Sequence, residues 1–408
     1  MPKTMRKKFV VLIGLLAVFA MVATACGSSD SGTATETTKA GDGATTTAAG
    51  GSTEADTGTT EKAMTEDGGS FVTLDQRCDE VGDVKLPAGY NVVLVTDIGK
   101  IDDGTFNQFA YEGMKAAEKC FGFKASFIET ASEADYANNI ATALSSKPKV
   151  IITVGFLLAD ATAAAAKANP DVHFIGIDQF QAEYPDNYAG VLFNEHEGGY
   201  MVGAFAAALS KTGVVGVVGG REDVPPVVKF VNGYTEGAKS VNPDIRVLSI
   251  YNESFTDTAK GASDAQQFIG EGADVIFGAG GQTGSGGVKA AAEAGLYGIG
   301  VDQDEYNTTF AGGSAPGSEW LATSAIKRVD LSVFDNLASD IKGSFKGGVY
   351  ILTAENLGIT YAPFHDADIP ADAADVLEAT RAGLADGSIE TGVCGIDGLL
   401  IGQKSLCG

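Results

Sequence analysis

From residue 90 onward, short apolar runs alternate with stretches whose apolar positions recur every three or four residues. Residues 91–96, 124–128, 149–154 and 173–177 read as strands, and their Val and Ile runs suit strands covered on both faces of a parallel sheet. Between them, residues 106–121, 133–145 and 158–168 have amphipathic helical spacing, so the order is βαβαβαβ. Residues 188–193 add a strand, and residues 198–209, rich in Ala and Gly, predict a tightly packed helix. The pattern then restarts, with strands at 214–218, 245–250, 274–277 and 297–301 and helices near 227–240, 259–270 and 287–294.

Two successive α/β units predict two lobes, each a parallel sheet with helices on both faces, and a cleft between them. The expected division is 72–210 with about 321–352 for the N-terminal lobe, and 211–320 with about 353–408 for the C-terminal lobe. Hinge strands are expected near 193–211 and 320–352, with residues 364–408 completing the second lobe.

The first 71 residues follow another pattern. Four positive charges precede an unbroken apolar run from Phe9 to Ala23, and Thr24-Ala25-Cys26 follows, which predicts a secretory signal peptide over residues 1–25. The run is shorter than the roughly 20 apolar residues that span a bilayer. The small residues leading into Cys26 resemble a lipobox, although Ala23 stands where Leu is usual. Cys26 is therefore expected to carry diacylglyceryl and palmitoyl chains that hold the protein to the outer face of a membrane. Residues 28–70 contain no Val, Ile, Leu, Phe, Tyr or Trp, so residues 26–71 read as a lipidated Cys and a tether without a core, with a reach of roughly 35 to 40 Å.

The net charge of −25 argues against nucleic-acid binding. Cys78, Cys120, Cys394 and Cys407 remain after Cys26, an even number in an exported chain. Three pairings are possible, with buried free thiols as the alternative. Cys78 with Cys120 and Cys394 with Cys407 is the favoured pairing, since each closes a plausible loop. The three histidines, His173, His196 and His365, are far apart and form no HExxH pattern, and residues 366–375 lack the ligand spacing of an EF-hand, so no metal or cofactor is expected.

Ligands of open α/β sheets meet the carboxyl ends of the strands. Those ends carry Asp97, Gly155 and Phe156, Asp178, Gly219 and Gly220, the loop from Gly278 to Gly284, and Asp302. Carboxylates there suit hydroxyl groups, because an ionised carboxylate accepts two hydrogen bonds from a vicinal diol. Thr105 is a plausible N-cap that would put Phe106 and Asn107 in a first helical turn, offering a π-face beside an amide.

The stretch Val95-Thr-Asp-Ile-Gly-Lys-Ile-Asp-Asp-Gly-Thr-Phe-Asn-Gln108 resembles the first strand, loop and helix start of the basic membrane protein family of solute-binding lipoproteins. Phe255-Thr-Asp-Thr-Ala-Lys-Gly261, the segment from Asp274 to Gly284, Gly300-Val-Asp302 and the segment from Thr323 to Asp330 match in order. The resemblance covers about residues 90–355. It implies the type I periplasmic-binding-protein fold and a nucleoside ligand, with a purine favoured. Carried onto this sequence, Phe106 stacks on the base, Asn107 and Asp178 read its edge, Asp302 and Lys327 hold the sugar, and Asp97 lines the same rim. Phe277 is a candidate second stacking aromatic whose position also fits core packing. The implied partners are ABC permease subunits and the lipid bilayer, with the protein acting as a monomer.

Other classes fit less well. The glycine loop at 278–284 does not have GxGxxG spacing, no GxxxxGK[ST] loop is present, and an exported protein has no NAD supply, so a dinucleotide enzyme is not expected. An exported nucleoside-processing enzyme needs an activated water, for which no constellation is visible. A surface sensor, or a binding protein for a sugar or other small solute, shares fold and anchor. Sugar sites more often carry several Trp residues, and Trp320 is the single one here.

Overall fold

The computed structural model describes residues 72–407. The described chain opens with α1 (Leu74–Val81), followed by β1 (Asn91–Ile98), α2 (Phe106–Phe121), β2 (Lys124–Thr130), α3 (Tyr136–Ser145), β3 (Val150–Val154), α4 (Ala159–Ala168), β4 (His173–Ile177) and β5 (Tyr188–Phe193). The second series is α5 (Glu195–Leu209), β6 (Val214–Gly219), α6 (Pro225–Val241), β7 (Arg246–Tyr251), α7 (Thr258–Gly270), β8 (Val275–Ala279), α8 (Gly281–Glu293), β9 (Tyr297–Asp302) and β10 (Leu321–Lys327). Then come α9 (Val329–Ile341), β11 (Gly348–Leu352), β12 (Ile359–Tyr361) and α10 (Ala371–Ala385). Cys26, the signal segment and the tether lie outside the described residues. Among the described residues no helix is long and apolar enough to cross a membrane.

The strands form two six-stranded sheets, β11-β5-β4-β3-β1-β2 and β12-β10-β9-β8-β6-β7. The two orders are the same when each series is counted from its own first strand. Every neighbouring pair is parallel except β10 with β12. All residues of β3 and β8 are buried, as central parallel strands between two helix layers require. The chain reverses its direction of progress across each sheet between β1 and β3 and between β6 and β8, which opens a crevice at the carboxyl end of each sheet.

The chain passes between the sheets three times: at Asn194, at Arg328 and over residues 353–358. The crossings lie side by side. Asn194 N–H donates to Leu352 O at 2.9 Å, Arg328 N–H donates to Gly358 O at 2.9 Å, and Ala354 N–H donates to the Glu197 carboxylate at 2.6 Å.

This path corrects two of the expected boundaries. Residues 321–327, assigned by sequence to the first lobe, form β10 and pair with β9 and β12 in the second sheet. Residues 195–209 also belong with the second sheet, since α5 packs on α6, α10 and β10. Twelve of the fifteen α5 residues are buried, so its pattern has no polar face to show which sheet it covers. The α5–α6 contact is unusually close: a Cβ on Gly199 or Gly203 would meet Phe230 O or Tyr234 O at 2.2 and 2.1 Å. A Cβ on Gly233 or Gly237 of α6 would meet the α5 carbonyls of His196 and Tyr200 at 2.3 and 2.0 Å. The first lobe regains the chain with α9, which packs on α2, and with β11 at the sheet edge.

Cys78 of α1 is bonded to Cys120 of α2 with Cα atoms 5.9 Å apart, and Cys394 is bonded to Cys407 at 5.5 Å. Arg77 adds a 2.7 Å ion pair from α1 to Asp335 on α9. Replacing Cys78 and Cys120 with Ser is expected to cost about 2–4 kcal/mol of stability, because the bridge spans 42 residues. The check is the urea midpoint of the double variant against the parent at equal slope.

Candidate functional site

A cavity lies where the carboxyl ends of both sheets face each other, with an empty volume of about 680 Å³ that is partly open to solvent. Asp97, Phe106, Asn107 and Asp178 line it from the first lobe, and Asp302 and Lys327 from the second. Phe277 does not. It is fully buried in β8, its ring 5.9 Å from that of Phe230 and 5.3 Å from that of Tyr234. Phe277 and Ala279 share one face of β8, but position 277 lies two residues below the strand end, under α6, and the strand reaches the cavity only at Ala279. Phe255, half-buried just ahead of α7, lines the cavity from the second lobe with Phe230, and Phe156 lines it from the first.

Asp178 and Asp302 occupy matching places. Each is the third residue of a Gly-x-Asp-Gln tetrad, Gly176 to Gln179 at the end of β4 and Gly300 to Gln303 at the end of β9, and these are equivalent strands of the two sheets. Both residues have left-handed backbones, φ 62° and 66°, which Asp tolerates better than most residues. The turn aims each carboxyl at the cavity. Asp178 Oδ1 is buried without a hydrogen-bond partner, as is Thr105 Oγ1 on the same wall. The Asp302 carboxylate accepts no hydrogen bond among the described residues although it is 7% exposed.

One ammonium serves this cluster. Lys327 Nζ lies 2.6 Å from Asp178 Oδ2 and 2.9 Å from Glu195 Oε1, and 4.9 Å from the centre of the Phe106 ring. Glu195 has a second cation in Lys229. Burial alone would raise the Glu195 carboxyl, but Lys229 and Lys327 together hold it below the ordinary range. The other two acids share what remains: burial pushes Asp178 up to about 6 against the pull of Lys327, and pushes Asp302 up to about 7. Burial opposes the charge on Lys327 as well, yet Asp178, Glu195 and Asp302 keep it ionised.

The loop between β1 and α2 is built on Asp103. Its Oδ1 accepts from the N–H groups of Thr105 and Gln108 at 2.9 and 3.1 Å, and its Oδ2 accepts from Asn107 N–H and Nδ2 at 3.1 and 3.0 Å. Asp103 therefore caps α2 in place of Thr105, whose side chain makes no cap bond. Asn107 turns its Oδ1 to Asp97 N–H at 3.1 Å, so much of its amide fastens this loop to β1. Asp97 accepts from Tyr136 OH and its own strand, and burial raises its carboxyl. Opposite Asp97, Gly155 has φ 107°, and a Cβ there would meet Asp97 Oδ2 at 2.2 Å.

The lobes meet at the rim. Gln303 Nε2 donates to Thr105 O at 3.0 Å, Thr308 Oγ1 donates to Gly104 O at 2.8 Å, and Arg221 pairs with Glu133. The histidines lie elsewhere: His173 pairs with Asp340, His196 contacts Thr391 Oγ1 and His365 pairs with Asp304. Among the described residues, no three His, Cys, Asp or Glu side chains are grouped to hold a metal ion.

Asp103, Phe255, Glu195 and Lys229 were not singled out by sequence. Phe255 and Asp103 did carry a signal, since each stands inside a matched stretch just ahead of a helix.

Two parallel-sheet lobes, three adjacent crossings and one cavity at the strand ends define a solute-binding protein of the type I periplasmic fold. The solved solute-binding protein of an ABC transporter system from Aeropyrum pernix K1 superposes with a TM-score of 0.65 at 25% identity, covering 74% of this chain and 92% of that one. Residues 90–359 match the Bmp family model, described as ABC transporter substrate-binding protein PnrA-like, and the chain belongs to that family. Among similar proteins, the CD4+ T-cell-stimulating antigen of Listeria innocua is 33% identical over 327 residues, 76% of this chain and 90% of that one. The ABC transporter nucleoside-binding protein BmpA of Lactococcus lactis subsp. cremoris is 34% identical over 282 residues, 65% of this chain and 79% of that one.

Proposed function

We propose that this protein binds a nucleoside, preferentially a purine nucleoside, between its lobes and delivers it to an ABC permease from the outer face of a membrane, held there through Cys26. The observation that carries the reading is the pairing, in one cavity, of two buried carboxylates that keep free acceptor oxygens, Oδ1 of Asp178 and the carboxylate of Asp302, with aromatic rings from both lobes. A nucleoside supplies what each lacks. Its base edge donates to Asp178, its sugar hydroxyls donate to Asp302, and its base offers a flat face to Phe106 and Phe255. The name of the Lactococcus relative supports the same ligand class. The protein acts by closing, since a ligand touching both lobes favours the state in which they meet.

The site also states what it refuses. Asp97, Asp103, Asp178 and Asp302 line the cavity, and Lys327 is already engaged by two carboxylates. A phosphate would enter a field of its own sign, so a nucleoside is expected to bind at least about 100-fold tighter than its monophosphate. Calorimetric titration of the full chain with guanosine, adenosine, inosine, uridine, ribose and guanosine monophosphate tests both points. Phe106→Ala is expected to weaken nucleoside binding about 10- to 100-fold, the contribution of one stacking ring. Heat from ribose alone, or a monophosphate bound as tightly as its nucleoside, would sink the assignment.

A further inference from the structure

We infer that Glu195 and Lys229, which do not line the cavity, are positioning residues that fasten the cavity lysine to the crossing between the lobes, so that ligand occupancy and hinge geometry are one coupled unit. This rests on the reading of the interlobe cavity as the ligand site.

The placement begins in the sequence. Glu195, Gly199 and Gly203 recur every four residues along α5, and Lys229, Gly233 and Gly237 recur in the same way along α6. Residues four apart share one helix face. The glycines bring the two backbones together, and the facing acid and base are carried to the end of that seam, where they meet as a buried ion pair. Glu195 is wholly buried and Lys229 is 3% exposed.

The seam ends on the hinge. Glu195 is the first residue of α5, directly after the first crossing, and its carboxylate bridges Lys229 and Lys327. Lys229 Nζ donates to Phe193 O at 2.7 Å, and Phe193 is the last residue of β5 before the same crossing. The Phe193 ring faces Lys327, whose Nζ lies 4.8 Å from its centre. Lys327 closes β10 directly before the second crossing at Arg328, and reaches across to Asp178 of the first lobe. A chain of four charges thus runs from α6 through both crossings to the cavity wall. A change in the angle between the lobes has to move Asp178 relative to Glu195, and Lys327 is bonded to both.

Burying two ammonium groups for the sake of stability alone is unfavourable, because desolvation of ions offsets most of their attraction and apolar replacements are often as stable. Their use here is geometric. Glu195 keeps Lys327 turned toward Asp178 and separates it from Lys229, and Lys229 keeps Glu195 in register with the crossing strand.

The test uses the full chain with Glu195→Gln, Lys229→Met and the double variant. The probe is the tightest binder among guanosine, adenosine, inosine and uridine. Each single variant is expected to weaken binding about tenfold, and the double variant by no more than the worse single, because residues acting as a unit are not additive. Gln preserves the size of Glu, and the double variant removes one charge of each sign, so both are expected to fold. The second readout needs no ligand: amide exchange over residues 193–195 and 327–329 should accelerate in Glu195→Gln, while the centres of β3 and β8 stay protected. Wild-type affinity in folded single variants, or losses that multiply in the double variant, would overturn the proposal. Should none of the nucleosides bind the parent, the ligand class falls, and the exchange measurement decides the hinge role alone, unchanged exchange overturning it.

Discussion

Asp302→Asn is expected to give a protein that melts at a higher temperature and has lost its ligand. Burial raises the Asp302 carboxyl to about 7 in the empty site, against about 3.9 in an unfolded chain. Below about pH 4 both states hold the proton and folding stability is indifferent to the group. As pH climbs toward 7 the unfolded chain ionises first, so stability drains away across that window and stays low above it. Three pH units correspond to roughly 4 kcal/mol at most, so Asn should stabilise the empty protein by on the order of 2–4 kcal/mol at pH 8 and by almost nothing at pH 4. Asn keeps the shape and tolerates the left-handed backbone at φ 66°. Ligand hydroxyls favour the ionised carboxylate, so binding expels its proton. Affinity is then expected to fall about tenfold per unit as pH drops below 7, and this slope should vanish in Asp302→Asn together with about 100-fold or more of the affinity. Melts at the two pH values and titrations from pH 5 to 8 read both effects. An unchanged melt with a flat binding profile would refute the account.

The second large effect belongs to Lys327→Met. Met fills much of the lysine volume but leaves Asp178 without its cation, while Glu195 keeps Lys229. Removing one member of a buried pair typically costs about 3–5 kcal/mol, chiefly from the charge left behind. Near neutral pH the loss should approach that range and shrink as pH falls through the window in which Asp178 takes up a proton. Adding Asp178→Asn should recover most of the stability and none of the binding. Guanidinium unfolding of the single and double variants measures the recovery, and a double variant no more stable than Lys327→Met would contradict the charge argument.

The parallel strands could be read from sequence because their residues face helices on both sides, so apolar runs rich in Val and Ile dominate β1, β3 and β8 without polar alternation. Strand β10 was legible only as a hinge strand somewhere within 320–352, without its place in the second sheet. Its Leu-Ala-Thr-Ser-Ala-Ile-Lys run is entirely buried, with Thr323 donating to Ala362 O at 2.6 Å and Lys327 paired with carboxylates. Polar residues satisfied by distant partners have no local pattern. The expected first-lobe span of about 321–352 did include β11, which pairs with β5 at the first sheet's edge, although three of its five residues are exposed. For the site, the strand-end rule reached Asp97, Asp178 and Asp302 because topology places strand ends. It said nothing of Glu195 or Lys229, since an acid at a helix start and a lysine within a helix ordinarily face water. Phe277 shows the reverse limit, since closeness to a strand end does not tell how far below the rim a side chain lies.

The three crossings also set a timetable for the nascent chain. The edge strand of the first sheet, β11, is made only at residues 348–352, long after β5, against which it pairs. Until then β5 presents an unpaired edge, and Asn194 lacks the Leu352 carbonyl that later anchors it. Neither lobe can finish ahead of the other, because each needs residues from beyond residue 320. A chain emerging from its N-terminus thus leaves the β5 edge open while residues 194–352 are made, and a chaperone that shields transient strand edges would find a target there.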